Sequence, residues 1–358
     1  MNKNVVATLT PTEIEAAFPP SKIFFDRFCS GGSLNKEESE TLFDEIIRGV
    51  LSDIEITGLL VALKIKGERP EEIAGAAAIL RRAALKFREP DYLFADSAGT
   101  GGDGALTFNI STAAAFLAAG AGLPMAKHGN RSVSSRSGSA DVLEALGANI
   151  SLSPKAARRC LDETGFTFLF APQYHQGVKH VMRVRTELKT RTVFNILGPA
   201  INPAHPPVQL VGVYDPELCR PVAETLKLLG CKSAMVVHGS GLDEIALHGE
   251  TQAAYLINGV VDEKTFCPDD FGLETYPVET LEGGSAFDNA RIINNIFGGT
   301  GGEAQTAIVI ANAGVLLFLA GKANSLKSGV AEATKALEAG KALRVLDAYI
   351  AFSNQNGE

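Results

Sequence analysis

Paired cysteines are missing from this chain. Its five cysteines, Cys29, Cys160, Cys219, Cys231 and Cys267, are odd in number, widely spaced and contain no C-x-x-C. That pattern offers no zinc site and fits reduced thiols in the cytoplasm. An excess of positive charge is missing as well. Against 41 acids stand 33 lysines and arginines, a net charge of −8. A general nucleic-acid or membrane-surface binder would present a basic face, so both classes are disfavoured. Long apolar runs are absent too: AIVIANAGVLLFLAG (307–321) falls short of the ~20 residues of a membrane span and reads as a buried helix. The N-terminal MNKNVVATLTPTEIEAAFPP has no continuous apolar core, so no signal peptide is expected.

What remains is ordinary for a soluble globular protein. The 358 residues are 46% apolar and 21% charged, enough chain for two domains and a large core. Any phosphate site must then be a local basic island in an acidic protein.

Residues 1–91 read as helical. Ser33 or Asn35 can cap a helix through about Val50, and Ser52 another through Lys66, ended by Gly67. Pro70 suits the first turn of a third, where its missing N–H costs nothing. From Tyr92 the texture changes to short apolar runs alternating with helical stretches. YLFADSA, LPMAK, FTFLFA, VQLVGVY and SAMVVHG are the candidate strands. That alternation predicts an α/β domain over 92–358, a mainly parallel sheet flanked by helices.

S-A-G-T-G-G-D-G (97–104) contains G-x-G-x-x-G, the dinucleotide-binding pattern. The pattern requires an acidic residue about 20 positions on to hold a ribose. Here one more absence decides: no Asp or Glu occurs from Ala105 to Ala140. Residues 127–140 instead carry Lys127, His128, Arg131 and Arg136 among five serines, which suits a highly anionic ligand better than a dinucleotide. Glycines still let backbone N–H groups face anionic oxygens. N-I-S-T (109–112) opens an Ala-rich helix whose start, capped by Asn109 or Ser111, is a second anion site. Asp103 fits beside a phosphate only where it meets a ribose hydroxyl or a magnesium ion. In an open α/β sheet both loops should line one crevice beyond the carboxyl ends of the strands. G-G-T-G-G-E-A (298–304) echoes the first loop, but no strand precedes it, and it reads as a loop entering a helix at about 303–320.

D-S-A-G-T-G-G-D-G, F-N-I-S-T, K-H-G-N-R-S-V-S-S, R-T-V-F-N-I-L-G-P-A-I-N-P and G-L-D-E (241–244) together resemble the anthranilate phosphoribosyltransferase family of tryptophan biosynthesis. The motifs follow the family's order, and the resemblance runs over essentially the whole chain. It implies a homodimer of the nucleoside-phosphorylase-like fold whose helical domain is joined by chain returning from roughly 175–200. It also implies transfer of phosphoribose from 5-phosphoribosyl-1-pyrophosphate (PRPP) to anthranilate. By the same resemblance Gly99, Gly102, Asp103, Thr107, Asn109, Ile110, Ser111 and Thr112 would contact PRPP. So would Lys127, His128, Gly129, Asn130, Arg131, Ser132, Val133, Ser134, Ser135 and Ser139. Ser111, Asp243 and Glu244 would hold Mg2+; read alone, Asp243 and Glu244 would be an exposed acidic turn. Gly99, Asn130 and Arg185 would take anthranilate. Arg185 is singled out by lying ten residues after His175 and before F-N-I-L-G-P, in a basic stretch that otherwise reads as a solvated helix face. His128 and His175 belong either to the same cleft or to hydrogen-bonded structural positions. No nucleophile–base pair is evident, and none is required. A pyrimidine-nucleoside phosphorylase, or a non-catalytic nucleic-acid-binding relative of the fold, is the alternative. Association with an anthranilate synthase is left open by the sequence.

Overall fold

Asn35 and Ser52 head helices for the same reason. Each side chain accepts the N–H three residues on, and the glutamate there returns a bond to the cap's own N–H, a capping box. The structure, a computed structural model, describes residues 19–132 and 136–356. The signal-peptide expectation, and the PRPP contacts expected of Val133, Ser134 and Ser135, lie outside the described residues. Helices α1 (Pro20–Cys29), α2 (Lys36–Ile47), α3 (Asp53–Lys66) and α4 (Pro70–Ala83) form the N-terminal helical domain. Gly67 ends α3 at φ 86°, and Pro70 starts α4. Their apolar faces share one core with Val181, Val184, Val193, Phe194, Leu197 and Ile201. Chain from beyond residue 175 thus completes the helical layer.

The larger α/β domain carries β1 (Ala95–Gly99), β2 (Met125–Gly129), β3 (Phe166–Phe170), β4 (Val208–Gly212), β5 (Ser233–Gly239), β6 (Thr251–Ile257) and β7 (Val260–Phe266). They form one sheet in the order β3-β2-β1-β4-β5-β6-β7. The first five strands of that order run parallel, and β6 and β7 are antiparallel. Helices α5 (Ile110–Gly120), α6 (Ser139–Ala145), α7 (Pro154–Thr164), α8 (Lys179–Leu188) and α9 (Cys219–Leu228) connect the parallel strands. After β7 come α10 (Ala286–Phe297), α11 (Glu303–Leu319), α12 (Leu326–Glu338) and α13 (Lys341–Gln355). Among the described residues no helix is long and apolar enough to cross a membrane.

The β6–β7 hairpin is the element that the strand reading overlooked. Its signal is Asn258-Gly259, both at positive φ (54° and 78°). That is the type I′ turn that Asn-Gly favours between paired strands.

One consequence of the strand order positions the site. From β1 the chain builds outward to β2 and β3, then returns to place β4 on the other side of β1. The carboxyl ends of β1 and β4 are therefore the topological switch point, where connections diverge and leave a crevice. Register sets Gly99 directly beside Gly212 there.

Candidate active site

Glycine is required at both strand ends by what lies over them. A Cβ on Gly212 would stand 1.5 Å from the carbonyl oxygen of Asp243, and one on Gly99 would stand 2.2 Å from Asp243 Oδ2. The turn after β5 thus folds back across β4 and β1, which brings Asp243 and Glu244 over the crevice. Gly101 N–H donates to Asp243 Oδ2 at 2.7 Å. Asp243 N–H donates to Asp103 Oδ2 at 3.3 Å, while Ala105 N–H caps Asp103 Oδ1 at 3.2 Å. Three glycines of the loop, Gly101, Gly102 and Gly104, take positive φ, the left-handed region open to them without a Cβ penalty.

At the start of α5, Ser111 N–H donates to Glu244 Oε1 at 3.0 Å. A carboxylate already occupies the positive end of the helix, the position expected of an anion. Asn109 precedes the helix but makes no side-chain cap. Its amide instead donates to the Ser137 carbonyl at 3.1 Å, and its Oδ1 accepts from Asn289 Nδ2 of α10 at 2.9 Å. Ile110 and Thr112 are 1% and 0% exposed, so their side chains are closed to a ligand. Thr107 pairs with Glu282 in an isolated antiparallel bridge.

Lys127 lies at the centre, 2% exposed. Its Nζ donates to the Ser97 carbonyl and to Ser111 Oγ at 3.2 Å. Burial pushes its ammonium below the usual lysine range, against the opposing charges of Asp96, Glu244 and Asp243. Burial and the neighbouring Asp103 push Asp243 up to about 7. Burial, then Asp243, raises Glu244 well above the carboxylate range. Asp96, inside β1, is raised to about 6 by burial. Asn202 Nδ2 donates to both Asp96 Oδ2 and the Ala126 carbonyl at 2.8 Å, and His128 N–H donates to Asp96 Oδ1 at 3.3 Å. Asp96 and Asn202 join this buried polar network, a juxtaposition that the sequence reading missed. The available signal was an aspartate set within the apolar strand Y-L-F-A-D-S-A.

The loop after β2 is less of a free basic cluster than its composition suggests. Arg131 is ion-paired to Glu144 at 2.5 Å and to Asp141 at 3.1 Å, and Arg136 to Glu282 at 3.3 Å. Ser132 N–H donates to Asp141 at 3.0 Å. Asn130, exposed, receives the Arg131 N–H at 2.7 Å on Oδ1 and the Ser139 hydroxyl at 3.3 Å on its carbonyl. Gly129 is needed because a Cβ there would meet Ser139 Oγ at 2.2 Å. Arg185, on α8, is held locally: its guanidinium lies 5.6 Å from the Phe194 ring centroid and 4.0 Å from Met182 Sδ. The arginine that touches the glycine loop is Arg191, which donates to the Gly102 carbonyl.

His128 and His175 meet edge to face with ring centroids 5.1 Å apart. Both are buried, and burial lowers His175 to about 4. The folded pKa thus lies below the ~6.5 of an unfolded chain, so between those values the unfolded chain takes up a proton that the folded one refuses. Stability should therefore fall as pH drops through this window, by about 3 kcal/mol from this residue at full extent. Guanidinium unfolding at neutral pH and near pH 4.5 should show a smaller acid loss in His175→Phe than in the parent; equal losses would count against His175.

Among the described residues no three His, Cys, Asp or Glu side chains converge into a ready-made metal cage. Asp243 and Glu244 nevertheless suit magnesium. Both are hard-oxygen donors, Glu244 buried and Asp243 half-buried, raised in pKa by desolvation first and by a neighbouring carboxylate second, and magnesium is typically bound by one or two carboxylates plus substrate phosphates.

Comparison with known proteins follows the same division. Residues 91–343 match the glycosyl transferase family a/b domain, and residues 23–84 match the family's helical bundle domain. The chain is 56% identical to the anthranilate phosphoribosyltransferase of Pseudoalteromonas translucida, over 92% of this chain and 93% of that one. It superposes on the crystal structure of the Thermus thermophilus enzyme of that name with TM-score 0.88 and 41% identity, covering 92% and 99% of the two chains. The Saccharomyces cerevisiae enzyme in complex with PRPP and Mg matches with TM-score 0.85 at 27% identity, covering 95% and 99%. That enzyme's complex with 4-fluoroanthranilate matches at TM-score 0.84 and 26% identity, covering 94% and 98%.

Proposed function

Because the chain belongs to the anthranilate phosphoribosyltransferase family, we propose that it transfers the phosphoribosyl group of PRPP to the amino group of anthranilate. The products are N-(5-phosphoribosyl)anthranilate and pyrophosphate, a step of tryptophan biosynthesis. One observation carries the reading. The glycine loop, the start of α5 and the Asp243-Glu244 turn meet over the switch point of the sheet, joined by the Gly101–Asp243 and Ser111–Glu244 bonds.

Displacement at the anomeric carbon passes through an oxocarbenium-like state while negative charge grows on the departing pyrophosphate. The main tasks are to stabilise that charge and to align the amine. Backbone N–H groups of the glycine loop and α5, with Lys127 and the loop from Lys127 to Ser135 and Ser139, would bind PRPP. Asp243, Glu244 and Ser111 would hold Mg2+, with Asp103 beside them. Bound there, the ion would neutralise charge on the leaving pyrophosphate. An aromatic amine is neutral at pH 7, so the chain need supply no strong base. Gly99, Asn130 and Arg185 would receive anthranilate, with Arg185 facing its carboxylate.

The helical domain is assigned to residues 1–91 plus the return near 175–200, supported by the shared core. A homodimer belongs to the same reading, supported by Ile54 and Ile65, which stand 84% and 81% exposed on the helical domain. A cytoplasmic location agrees with five unpaired cysteines.

The direct test mixes protein, PRPP, magnesium and anthranilate and follows the loss of anthranilate fluorescence. Turnover of thymidine with phosphate, and none here, would overturn the proposal. Within that assay Arg185→Ala should raise the KM for anthranilate by about tenfold or more, the weight of one charge-assisted contact, and leave that for PRPP near its parent value. Unchanged anthranilate kinetics would remove Arg185 from the site.

A further inference from the structure

Arg191 opens the R-T-V-F-N-I-L-G-P-A-I-N-P motif but has been given no role above, and it links the helical layer to the glycine loop. Its own segment is anchored on the helical side. Neighbouring Thr190 accepts from Lys64 Nζ of α3, Thr192 N–H donates to Asn195 Oδ1 at 3.0 Å, and Val193 and Phe194 enter the helical core. From that anchor the guanidinium reaches across to donate to the Gly102 carbonyl. It lies over the face of Tyr214, its central carbon 3.9 Å from the ring centroid. Tyr214 in turn is fastened to the loop's first residue. Its N–H donates to Thr100 Oγ1 at 3.1 Å, and Thr100 N–H donates to the Gly212 carbonyl at 2.9 Å.

Gly102 sits between two further glycines of positive φ, in a stretch whose backbone freedom would be large if nothing restrained it. The restraints on it come from two sides: Asp243 beneath, on the Gly101 N–H, and Arg191 from the helical layer. A planar guanidinium stacked on an aromatic face loses little freedom on making a further bond, because the stack already orients it.

We propose that Arg191, oriented by Tyr214, is a positioning residue that holds the glycine loop in its PRPP-receiving shape and ties that shape to the placement of the helical layer. This rests on the transferase reading above. Arg191 acts through the backbone of Gly102, not on anthranilate, so its loss selectively weakens use of PRPP. A preorganised loop binds more tightly because less ordering remains to be done on binding.

Hydrogen exchange of the ligand-free protein tests this without relying on activity. In Arg191→Ala, amides of the peptide spanning 99–108 should exchange several-fold faster, with the rest of the sheet unchanged. In the coupled assay the KM for PRPP should rise about tenfold while that for anthranilate stays within about twofold, as expected for losing a charge-assisted bond and a cation–π contact. Arg191→Lys keeps the charge without the planar stack and should resemble Arg191→Ala. Tyr214→Phe keeps the ring and should resemble the parent, and Tyr214→Ala should add little to Arg191→Ala. Parental exchange in the 99–108 peptide, or an equal rise in both KM values, would overturn the inference. A parent protein that fails to couple PRPP to anthranilate would sink the transferase reading instead, and the exchange comparison would still decide the role of Arg191 in ordering the loop.

Discussion

Lys127→Met is expected to cost about 3–5 kcal/mol of stability, the usual result of removing one partner from a buried charge cluster, and to abolish turnover. The reason lies in what the ammonium faces. The Ser97 carbonyl and the Ser111 hydroxyl accept its hydrogen bonds, and Asp96 and the Asp243-Glu244 pair surround it with negative charge. Methionine fills the volume but leaves Asp96, 1% exposed, without the Lys127 charge, held by the Asn202 amide and by the backbone N–H groups of His128 and Ser97. Combining Lys127→Met with Asp96→Asn should recover much of the stability, since the two charges leave together, yet should not restore use of PRPP. Denaturant unfolding of the parent, both single variants and the double variant reads the first effect, and the fluorescence assay the second. A double variant no more stable than Lys127→Met would show that the two residues are not coupled. A fully active Lys127→Met would take Lys127 out of the site.

The second large effect is that of Asp243→Asn with Glu244→Gln. Activity should fall by about 10²–10³, on the scale of removing a main stabiliser of transition-state charge, and the magnesium titration should go flat. Stability should move the other way. In the metal-free protein, burial and then Asp103 hold Asp243 above its ordinary range, and burial and then Asp243 do the same for Glu244. Groups with raised folded pKa values stabilise the fold at low pH and lose that contribution as pH rises through the folded value. Each therefore costs stability as pH rises from its unfolded to its raised folded value, in full above about pH 7 for Asp243, and neutral amides should relieve that cost. A variant that is inactive, unresponsive to magnesium and more stable near pH 8 than the metal-free parent is the expected result. An unaltered magnesium response would refute the metal role, and a large loss of stability would mean that the carboxylates are structural.

Much of this protein is legible residue by residue. Asn35, Ser52, Gly67 and Pro70 mark helix ends through bonds made within a few residues of themselves, so their positions follow from local chemistry. SAMVVHG corresponds to β5, and G-G-T-G-G-E-A does lead into α11 at Glu303. The missing acid between Ala105 and Ala140 turned the glycine loop away from a dinucleotide, and the ordered motifs pointed to the family. The β6–β7 hairpin was legible too, in Asn258-Gly259, though its strands alternate too weakly to stand out.

Other features depend on partners far away in the chain. Nothing near Asp96 announces Asn202, 106 residues on, and nothing near Gly102 announces Arg191, 89 residues on. Arg131 and Arg136 look free in a stretch without acids, yet their counter-charges come from Glu144, Asp141 and Glu282. Asn109 has the chemistry of a helix cap, but tertiary neighbours in the 137 loop and α10 claim its side chain.

The sequence by itself determined which backbone bends, which helices start and stop, and that an anion-binding glycine loop stands before an Ala-rich helix, because those outcomes depend on interactions within a turn or two. Only the tertiary structure decided which charges meet. The strand order sets β4 beside β1, and the turn after β5 then brings Asp243 and Glu244 onto the glycine loop and α5. Burial, which no short stretch of sequence contains, shifts the protonation of Lys127, Asp243 and Glu244 there.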